Sequence, residues 1–579
     1  MSIKIQIANR MFRRAGSALL LTMVMAGVAL AMLAAALSWS SASTRMTHRS
    51  IQYARSEAAA EGATDMVVGH ITRDFLYYGE ATVVNNLPAY RNMVPAPSDS
   101  AYWSTWLFDD ANGNTGRTFV QRGGSSSYQS LISPYSGLHA FVSTYTVVSN
   151  ARDTASPQDL TAGVQQQIQL DTIPIFQFAM FSSGNMEISC GQPFRITGPV
   201  HSNGHLYVEP DNSMTFESDV GAVLDVLFQR DPLDTRGSPA GAAFYTQTDQ
   251  PSFPVAFLTL PIGATNTPEG VREIIEPPPT GEDPASAIGQ LRYYNRCDML
   301  VVVSDTGVSA SSGNFDNFHT SIPTNELPVF ITITNSFQDA REGKTVQPVD
   351  LDIGKLAAWS QTNGSLRISL IGSNVSSVYV LDNRTLPGTS LGAVRVFNGS
   401  QLPANGLTVA TARPLYVLGD YNSDLATRGS TNTTSTRPAS LVADAITILS
   451  DNWTDANSSS AVGLRGAAST TVNAAILTGV VETTQGHYSG GMENFPRFLE
   501  TWGSANVFTY NGSMIKMFPS LYATNAWQNN TNIYAPPARN WAFDFNFRDP
   551  TKIPPLTPSV LKVVRHQWAA LPPGQTAAP

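Results

Sequence analysis

Two histidines and three aspartates are the side chains of this sequence whose types and settings could support chemistry. His201 and His205 stand four residues apart around Ser-Asn-Gly, so both could face one metal ion. Asp420, Asp444 and Asp451 are candidates for the clustered carboxylates that polysaccharide lyases and hydrolases use as acid–base pairs or calcium ligands. Metal binding and carboxylate chemistry are therefore the two functions that these residues could support.

The local sequence around these residues favours structural roles. The two histidines flank a turn that can place them on different strands, and no cysteine or carboxylate trio stands at metal-ligand spacing. Asp420 follows a glycine and Asp451 precedes an asparagine, settings in which Asp bonds its own backbone, and Asp444 begins an apolar run. Nucleophile-elbow, phosphate-cradling and dinucleotide-binding motifs are absent from the sequence. We therefore predict no enzyme activity and no catalytic, cofactor-binding or metal-ligating residue.

An Asp-rich segment and a group of tryptophans could also bind ligands, but each has a structural interpretation as well. Residues 109–114, Asp-Asp-Ala-Asn-Gly-Asn, resemble part of a calcium loop but lack its Glu at position 12, so we interpret them as a solvated turn. Four tryptophans could form a sugar-stacking platform, although such residues more often plug the end of a solenoid. They are Trp502, Trp527, Trp541 and Trp568.

The composition is typical of an exported β-rich protein. The 579 residues are 42% hydrophobic but 14% charged, well below the ~25% of an ordinary soluble domain, and Ser, Thr, Asn and Gln replace the charges. Loss of a leader 1–16, which carries four basic and no acidic residues, would change the formal net charge from −9 to −13. That sign argues against a nucleic-acid partner. Cys190 and Cys297 are far apart in sequence, and we predict two buried free thiols.

The element that must position everything else is a long apolar segment near the N-terminus. Residues 17–37 are almost all apolar, and no charge appears between Arg14 and Arg45. As a helix they cover roughly 32 Å, enough to cross a bilayer core and too long for a cleaved secretory signal. The basic residues Arg10, Arg13 and Arg14 predict a cytoplasmic N-terminus. We expect a single-pass inner-membrane protein whose bulk is periplasmic or extracellular.

This junction resembles a class III, prepilin-type signal, in which a short basic leader and a glycine precede the apolar helix. In that family a membrane peptidase cuts after the glycine, which implies cleavage between Gly16 and Ser17. Major pilins have Phe at the first mature position and Glu at the fifth, where this chain has Ser17 and Leu21. The pattern looks more like PilX-type minor pilins and the large tip pseudopilin of type II secretion. A signal anchor that is never cleaved explains the same features.

Further segments are similar to large PilX-like bacterial proteins with no assigned activity. The Ala-Glu-rich run 57–61 resembles the region after their membrane helix. The resemblance implies filament assembly, adhesion or substrate recognition, with pilin-like subunits and a prepilin peptidase as partners and a surface glycan or protein as a ligand. A membrane-tethered polysaccharide-active enzyme and a structural envelope protein are the alternatives. The other segments that carry the resemblance are 198–208, 415–422, 443–453, 490–500, 509–514 and 536–544.

The helix is expected to continue beyond the membrane. Residues 45–78 contain no proline and are rich in Ala and Glu. An apolar stripe indicates a face packed against a globular head. Its residues are Ile51, Ala54, Ala58, Gly62 and Met66, and then, on a shifted line, Val67, Ile71, Phe75 and Tyr78. The alternative is a break near 38–44 followed by a separate helix.

The remaining sequence is a succession of short β-branched runs separated by Gly, Asn, Asp and Pro. Asn-Gly pairs such as Asn203-Gly204 and Asn511-Gly512 punctuate it. A sandwich array and a parallel β-helix both fit, and the repeated pattern of apolar strand, Gly, polar turn and next strand favours the β-helix. The later runs are Leu366–Ile371, Val378–Leu381, Val394–Phe397, Leu407–Ala410, Leu415–Gly419, Ala445–Leu449, Ala474–Val481 and Val507–Met514.

The predicted fold class is therefore mainly β, with a long N-terminal transmembrane α-helix, a β-rich head and an irregular parallel β-helix or solenoid. The predicted segments are a basic leader 1–16, a membrane helix 17–39, its continuation 40–78, a small β-rich domain 79–165, a β-helix-like domain 166–520, and an aromatic and Pro-rich cap and tail 521–579.

Overall fold

A computed structural model describes residues 13–131, 137–157, 159–237, 241–258, 262, 265, 267–312, 320–361, 375–527 and 532–572, with backbone alone for 13–17 and 320. Helix α1 spans Arg13–Tyr78, 66 residues, without a break at Ser38–Thr44. It ends at Gly79, whose φ of 78° lies in the left-handed region that glycine tolerates, and α2 (Glu80–Tyr90) follows. The shorter helices are α3 (Pro268–Arg272), α4 (Tyr293–Arg296) and α5 (Ile353–Gln361).

The chain divides into two compact units. The first comprises residues 1–125, 143–170 and 562–579, and the second comprises 126–142 and 171–561. The first five strands are β1 (Trp106–Asp109), β2 (Phe119–Arg122), β3 (Ser127–Ser130), β4 (His139–Asp153) and β5 (Ala162–Pro174). In the first unit β1 and β2 pair antiparallel with β4. In the second, β3 pairs antiparallel with residues 139–142.

The buried face of α1 matches the second part of the predicted stripe, because Val67, Ile71 and Phe75 are buried, and differs from its beginning. Ile51, Ala54 and Ala58 are exposed, so that part of the prediction is wrong. Small and polar side chains face inward because they permit close packing and find hydrogen-bond partners there; the Ser56 hydroxyl donates to the Leu160 carbonyl at 2.9 Å. The buried positions are Gln52, Ser56, Ala59, Ala60, Ala63, Thr64, Val67, Val68, Ile71, Asp74 and Phe75.

In the second unit the chain first visits three parallel sheets in turn. Val200 pairs in register with Met180 on one side and Val220 on the other, a spacing of 20 residues each way. Leu206 pairs with Met186 and Val226 at the same spacing. These strands are β6 (Met180–Ser182), β7 (Met186–Ile188), β8 (Phe194–Ile196), β9 (Val200–Ser202), β10 (Leu206–Val208), β11 (Ser213–Phe216), β12 (Val220–Ala222), β13 (Val226–Leu227) and β14 (Ala242–Tyr245).

The later strands alternate between two larger sheets. The remaining strands are β15 (Met299–Ser304), β16 (Gly307–Ser312), β17 (Thr320–Ser321), β18 (Ile331–Thr332), β19 (Phe337–Asp339), β20 (Lys344–Asp352), β21 (Ser377–Asp382), β22 (Leu391–Gly399), β23 (Leu407–Ala410), β24 (Leu415–Tyr421), β25 (Ala439–Ala443), β26 (Ile446–Leu449), β27 (Thr470–Asn473), β28 (Ala475–Val480), β29 (Pro496–Phe498), β30 (Val507–Gly512), β31 (Met514–Pro519), β32 (Ala538–Phe543) and β33 (Ser559–Leu571). One sheet has the order β12-β9-β6-β31-β28-β25-β23-β21-β15-β16-β17, and its strands from β12 to β15 are parallel. The other contains β18-β20-β22-β24-β27-β30-β32.

Asparagine side chains connect neighbouring parallel strands near the strand ends. Asn422 and Asn473 exchange hydrogen bonds, each side-chain amide donating to the other's carbonyl at 2.8 Å. The Asn511 amide donates to the Asn473 side-chain oxygen at 2.7 Å. The ends of β24, β27 and β30 are therefore tied together by a ladder of asparagine side chains.

Several strands coincide with the predicted apolar runs, but the run Val507–Met514 is divided between β30 and β31, which belong to different sheets. Leu407–Ala410 and Ala439–Ala443 are buried along their whole length, as expected for parallel strands covered on both faces. The run Leu366–Ile371 lies outside the described residues. A mainly β chain that follows a long N-terminal apolar helix is confirmed.

Candidate functional site

The first half of α1 is the most exposed apolar element of the described chain. Every side chain from Ala18 to Ile51 is exposed, including Leu19, Met23 and Leu30 at 64%, 69% and 66%. By length and composition, the helix from Ala18 could cross a membrane. An exposed apolar surface of this extent is typical of contact with a membrane or a protein partner.

The second half of α1 is held in the first unit by a buried polar cluster around Asp74. The Tyr90 hydroxyl and the Asn86 amide donate to one Asp74 oxygen at 2.6 and 2.9 Å, and Arg73 donates to the other at 2.7 Å. Burial acts to raise the pKa of Asp74, but these hydrogen bonds outweigh it and lower the pKa. Burial and the Asp74 carboxylate raise the pKa of Tyr90. The carboxylate thus ties α1 to α2.

A second cluster begins at the first residue of α2. Glu80 accepts hydrogen bonds from Arg122 at 2.9 Å and from the Tyr145 hydroxyl at 3.1 Å. Burial first, and then the Glu80 charge, raise the pKa of Tyr145. On α1, Thr64 accepts from the Gln166 side chain at 2.9 Å. These contacts join the end of the long helix firmly to the sheet of the first unit.

Four of the five residues predicted around the leader junction lie in the described part of the chain. Arg10 lies outside the described residues. Arg13, Arg14, Gly16 and Ser17 lie in the first turns of α1, where the backbone is helical. Cleavage between Gly16 and Ser17 stays a prediction.

The two histidines are not brought together on one ligand. His201 is buried on β9, stacks on Phe181 with ring centroids 5.7 Å apart, and shares a 2.9 Å hydrogen bond with Asn203. Burial lowers the pKa of His201 to about 4. His205 lies beyond the turn, with its Nδ1 3.4 Å from the Asp225 carboxylate. Among the described residues no group of three His, Cys, Asp or Glu side chains could hold a metal ion.

The three aspartates occupy three different settings. Asp444 is fully buried and accepts backbone N–H bonds from residues 521, 522 and 523 at 2.6, 3.1 and 2.9 Å. Arg272 lies 2.9 Å from the same carboxylate. Asp420 accepts from the Thr471 N–H at 2.7 Å and pairs with Arg428, and burial raises its pKa. Asp451 is exposed.

The tryptophans do not form a shared platform. Trp502 and Trp541 are buried in the core of the second unit, 1% and 5% exposed. Trp527 is half-buried, donates to the Tyr534 hydroxyl at 2.7 Å, and lies edge-on to Tyr488. Trp568 is 48% exposed and belongs to the first unit. A sugar platform built from all four residues is therefore wrong.

The cysteines are as predicted, and residues 109–114 form a turn, but Asp110 within it is buried and not solvated. Cys190 and Cys297 are buried free thiols, and burial raises the pKa of Cys190 to about 12. In the turn, the Asp110 carboxylate accepts the backbone N–H groups of Asn112 and Asn114 at 2.8 and 2.9 Å. Its oxygens are engaged by the loop itself, which is the geometry of an Asx turn.

Sequence reasoning missed a set of buried charges in the second unit. Arg497 pairs with Glu342 at 2.8 Å, with side chains 5% and 0% exposed. Arg395 contacts both Asp350 and Asp455 at 2.6 Å. One signal was available, because charged residues inside apolar runs of a chain with 14% charge need a buried partner.

Comparison with known proteins does not show which family this chain belongs to. No family model matches the sequence, and no curated protein matches it. The crystal structure of the competence-associated pilin ComZ from Thermus thermophilus matches with a TM-score of 0.25 and 10% identity, over 88% of this chain and 98% of that one. A similarity at this level carries no argument about fold or function.

Proposed function

We propose that this chain is an exported, membrane-anchored, pilin-like protein of the PilX-like minor pilin or pseudopilin kind. The apolar half of α1 would lie in the inner membrane with the basic leader in the cytoplasm, and the rest of the chain would be periplasmic or extracellular. Other pilin-like subunits would pack against the exposed helix during filament assembly. The head would then present a surface for adhesion or substrate recognition.

The observation that supports this proposal best is the division of α1 into two halves. Its side chains are exposed and mostly apolar from Ala18 to Leu37, and its inward face is buried from Gln52 to Phe75. One unbroken helix therefore has an apolar surface that needs a membrane or a neighbouring helix, and a second surface already satisfied by its own unit. A helix used only to hold a soluble fold would not need the first surface.

The test is the intact mass of the membrane-extracted chain after co-expression with a prepilin peptidase. A new terminus at Ser17 supports the pilin-like function, and a Gly16→Leu variant should keep its leader. A terminus at Met1 in both chains, or near Thr44, would contradict it. Recovery of the wild-type chain in the soluble fraction would also contradict it.

We further propose that the parallel strands of the second unit form an irregular β-solenoid. The 20-residue register of β6, β9 and β12 and the asparagine ladder support this arrangement. Arg195 and Thr215 are register partners on β8 and β11. Cysteines introduced at these two positions should form a disulfide on oxidation, whereas a pair at Arg195 and Ser213 should not, because two residues along a strand add about 6.6 Å.

A membrane-tethered polysaccharide-active enzyme is the alternative function. We propose no catalytic role, because Asp444 is committed to the 521–523 backbone and Asp420 to Arg428, while Asp451 is exposed. Cleavage of an acidic or neutral polysaccharide by the purified chain, abolished in Asp420→Asn or Asp451→Asn variants that remain folded, would favour the enzyme.

A further inference from the structure

A cleft in the second unit has a cationic lining that none of the functions above requires. Its volume is about 440 Å³, within the range of small-molecule sites. It lies at the amino ends of β20 and β22, between the β21–β22 loop and the segment that follows β31. The side chains that define it are Lys344, Asp382, Arg384, Arg413 and Tyr522.

The charges in this cleft do not cancel. Asp382 is paired with Arg384 through two hydrogen bonds, at 2.8 and 2.7 Å. Arg413 donates to the Asp382 backbone carbonyl at 3.1 Å and lies over the Tyr522 ring, 4.3 Å from its centroid. In the described chain no carboxylate is within 4.0 Å of Arg413, and the Lys344 ammonium has neither a hydrogen bond nor an ion pair. Two positive charges therefore face the cleft of a protein whose net charge is −9.

Part of the backbone around the cleft is already paired with neighbouring strands. Val346 of β20 is paired on one side with Phe337 and on the other with Leu391. One face of β22 at Gly392 is covered by Asp382, whose carboxylate oxygen a Cβ at that position would meet at 2.7 Å. Peptides that bind by adding a strand need a free row of N–H and C=O groups. This cleft is better suited to a compact ligand.

The rest of the lining mixes hydroxyls with apolar side chains. Thr389, Ser390 and Thr524 can exchange hydrogen bonds with a polyol, and Leu386 and Leu521 can cover the apolar face of a sugar ring. Leu521 is 58% exposed, so this apolar surface is open to a ligand. We propose that the cleft binds an acidic saccharide, with Lys344 and Arg413 pairing with uronate carboxylates. The inference deepens the recognition role of the head and so rests on the proposed function.

One wall of the cleft depends on Asp444. The N–H groups of Leu521 and Tyr522 are bonded to this carboxylate, and Tyr522 in turn supports the Arg413 guanidinium. Asp444 is thus a positioning residue for the binding surface and does not contact the ligand.

The experiment is calorimetric titration of the full chain in detergent micelles with tetragalacturonate, compared with neutral maltotetraose. We expect the acidic tetrasaccharide to bind and the neutral one to bind at least about 10-fold more weakly, because hydrogen bonds to charged groups are the stronger ones. Raising the salt concentration should weaken the binding. Lys344→Gln and Arg413→Gln should each reduce the affinity by about 5- to 10-fold.

Lys355→Gln is the matched control, because Lys355 lies outside the cleft, is 62% exposed and pairs with Asp352. It removes the same charge and should leave the affinity unchanged. Lys344→Gln keeps the test decisive if Arg413→Gln fails to fold, since among the described residues no hydrogen bond or ion pair involves the Lys344 ammonium. Absence of tetragalacturonate binding, or equal losses in the Lys344 and Lys355 variants, would overturn the proposal. So would binding of inorganic phosphate or tetraglutamate as tight as that of tetragalacturonate. None of these results depends on cleavage at Gly16.

Discussion

Replacement of Asp444 by alanine should destabilise the second unit by about 3 kcal/mol. The Asp444 carboxylate is fully buried. The side chain of Arg272, with which it forms an ion pair, is 5% exposed. Breaking a buried pair by removing one partner typically costs about 3–5 kcal/mol, because the remaining charge stays in the interior. Arg272 keeps a 2.8 Å contact with Glu276, which places the expected cost at the lower end.

The same substitution removes the shared acceptor of three backbone N–H groups. Residues 521–523 should therefore detach locally before the unit unfolds. A local loss of about 3 kcal/mol corresponds to an increase of about 100-fold in the exchange rate of these amides. Asp444→Asn keeps one side-chain oxygen and loses the charge, so its effect should be smaller, about 1–3 kcal/mol.

Urea unfolding and hydrogen–deuterium exchange of the full chain in micelles measure both effects. Asp451→Ala is the control, because it removes a carboxylate of the same type from an exposed position and should change stability by less than about 0.5 kcal/mol. If the Asp444 and Asp451 variants unfold at the same urea concentration, or if exchange at 521–523 is unchanged, the structural role assigned to Asp444 is wrong.

Three further predictions concern buried groups. Burial holds the pKa of His201 near 4, below its unfolded value of about 6.5, so stability should be lost as the pH falls from 6.5 to 4, by up to about 3 kcal/mol. A His201→Phe variant should not show this loss in urea unfolding at a series of pH values. Burial raises the pKa of Glu187 to about 7, above its usual value near 4.5, so its contribution should be full below pH 4.5 and lost as the pH rises through 7. Glu187→Gln should remove that slope; an unchanged slope would contradict the assignment. Trp502→Ala should cost about 3–5 kcal/mol in thermal or urea unfolding, and Trp568→Ala less than about 1 kcal/mol; equal losses would refute their different burial.

Local sequence predicted the strands well because short parallel strands buried on both faces have to be apolar along their length. The run Leu407–Ala410 is a strand over the same four residues, and Leu415–Gly419 lies within Leu415–Tyr421. The long helix was predictable for a similar reason. Residues 15–44 contain no proline and no charge, and the apolar segment 17–37 is long enough to cross a bilayer core.

Roles of individual polar residues were less predictable, because they depend on partners that are remote in sequence. In the sequence Asp444 stands at the start of an apolar run, which does not reveal its partners, Arg272 and residues 521–523. The cationic cleft likewise combines Lys344, Arg413 and Tyr522 from three separate segments. No periodicity connects such positions.

By itself, the sequence determined that an apolar N-terminal helix precedes a chain of short β-strands, since hydropathy and turn residues act over a few neighbouring positions. Tertiary structure decided which face of α1 is buried, since packing selects small and hydrogen-bonded residues such as Ala63 and Ser56 over the exposed Ile51 and Ala54. It also decided which charges are paired and which face a cleft, because the energy of a buried charge is set by the partner that folding brings within a few ångströms.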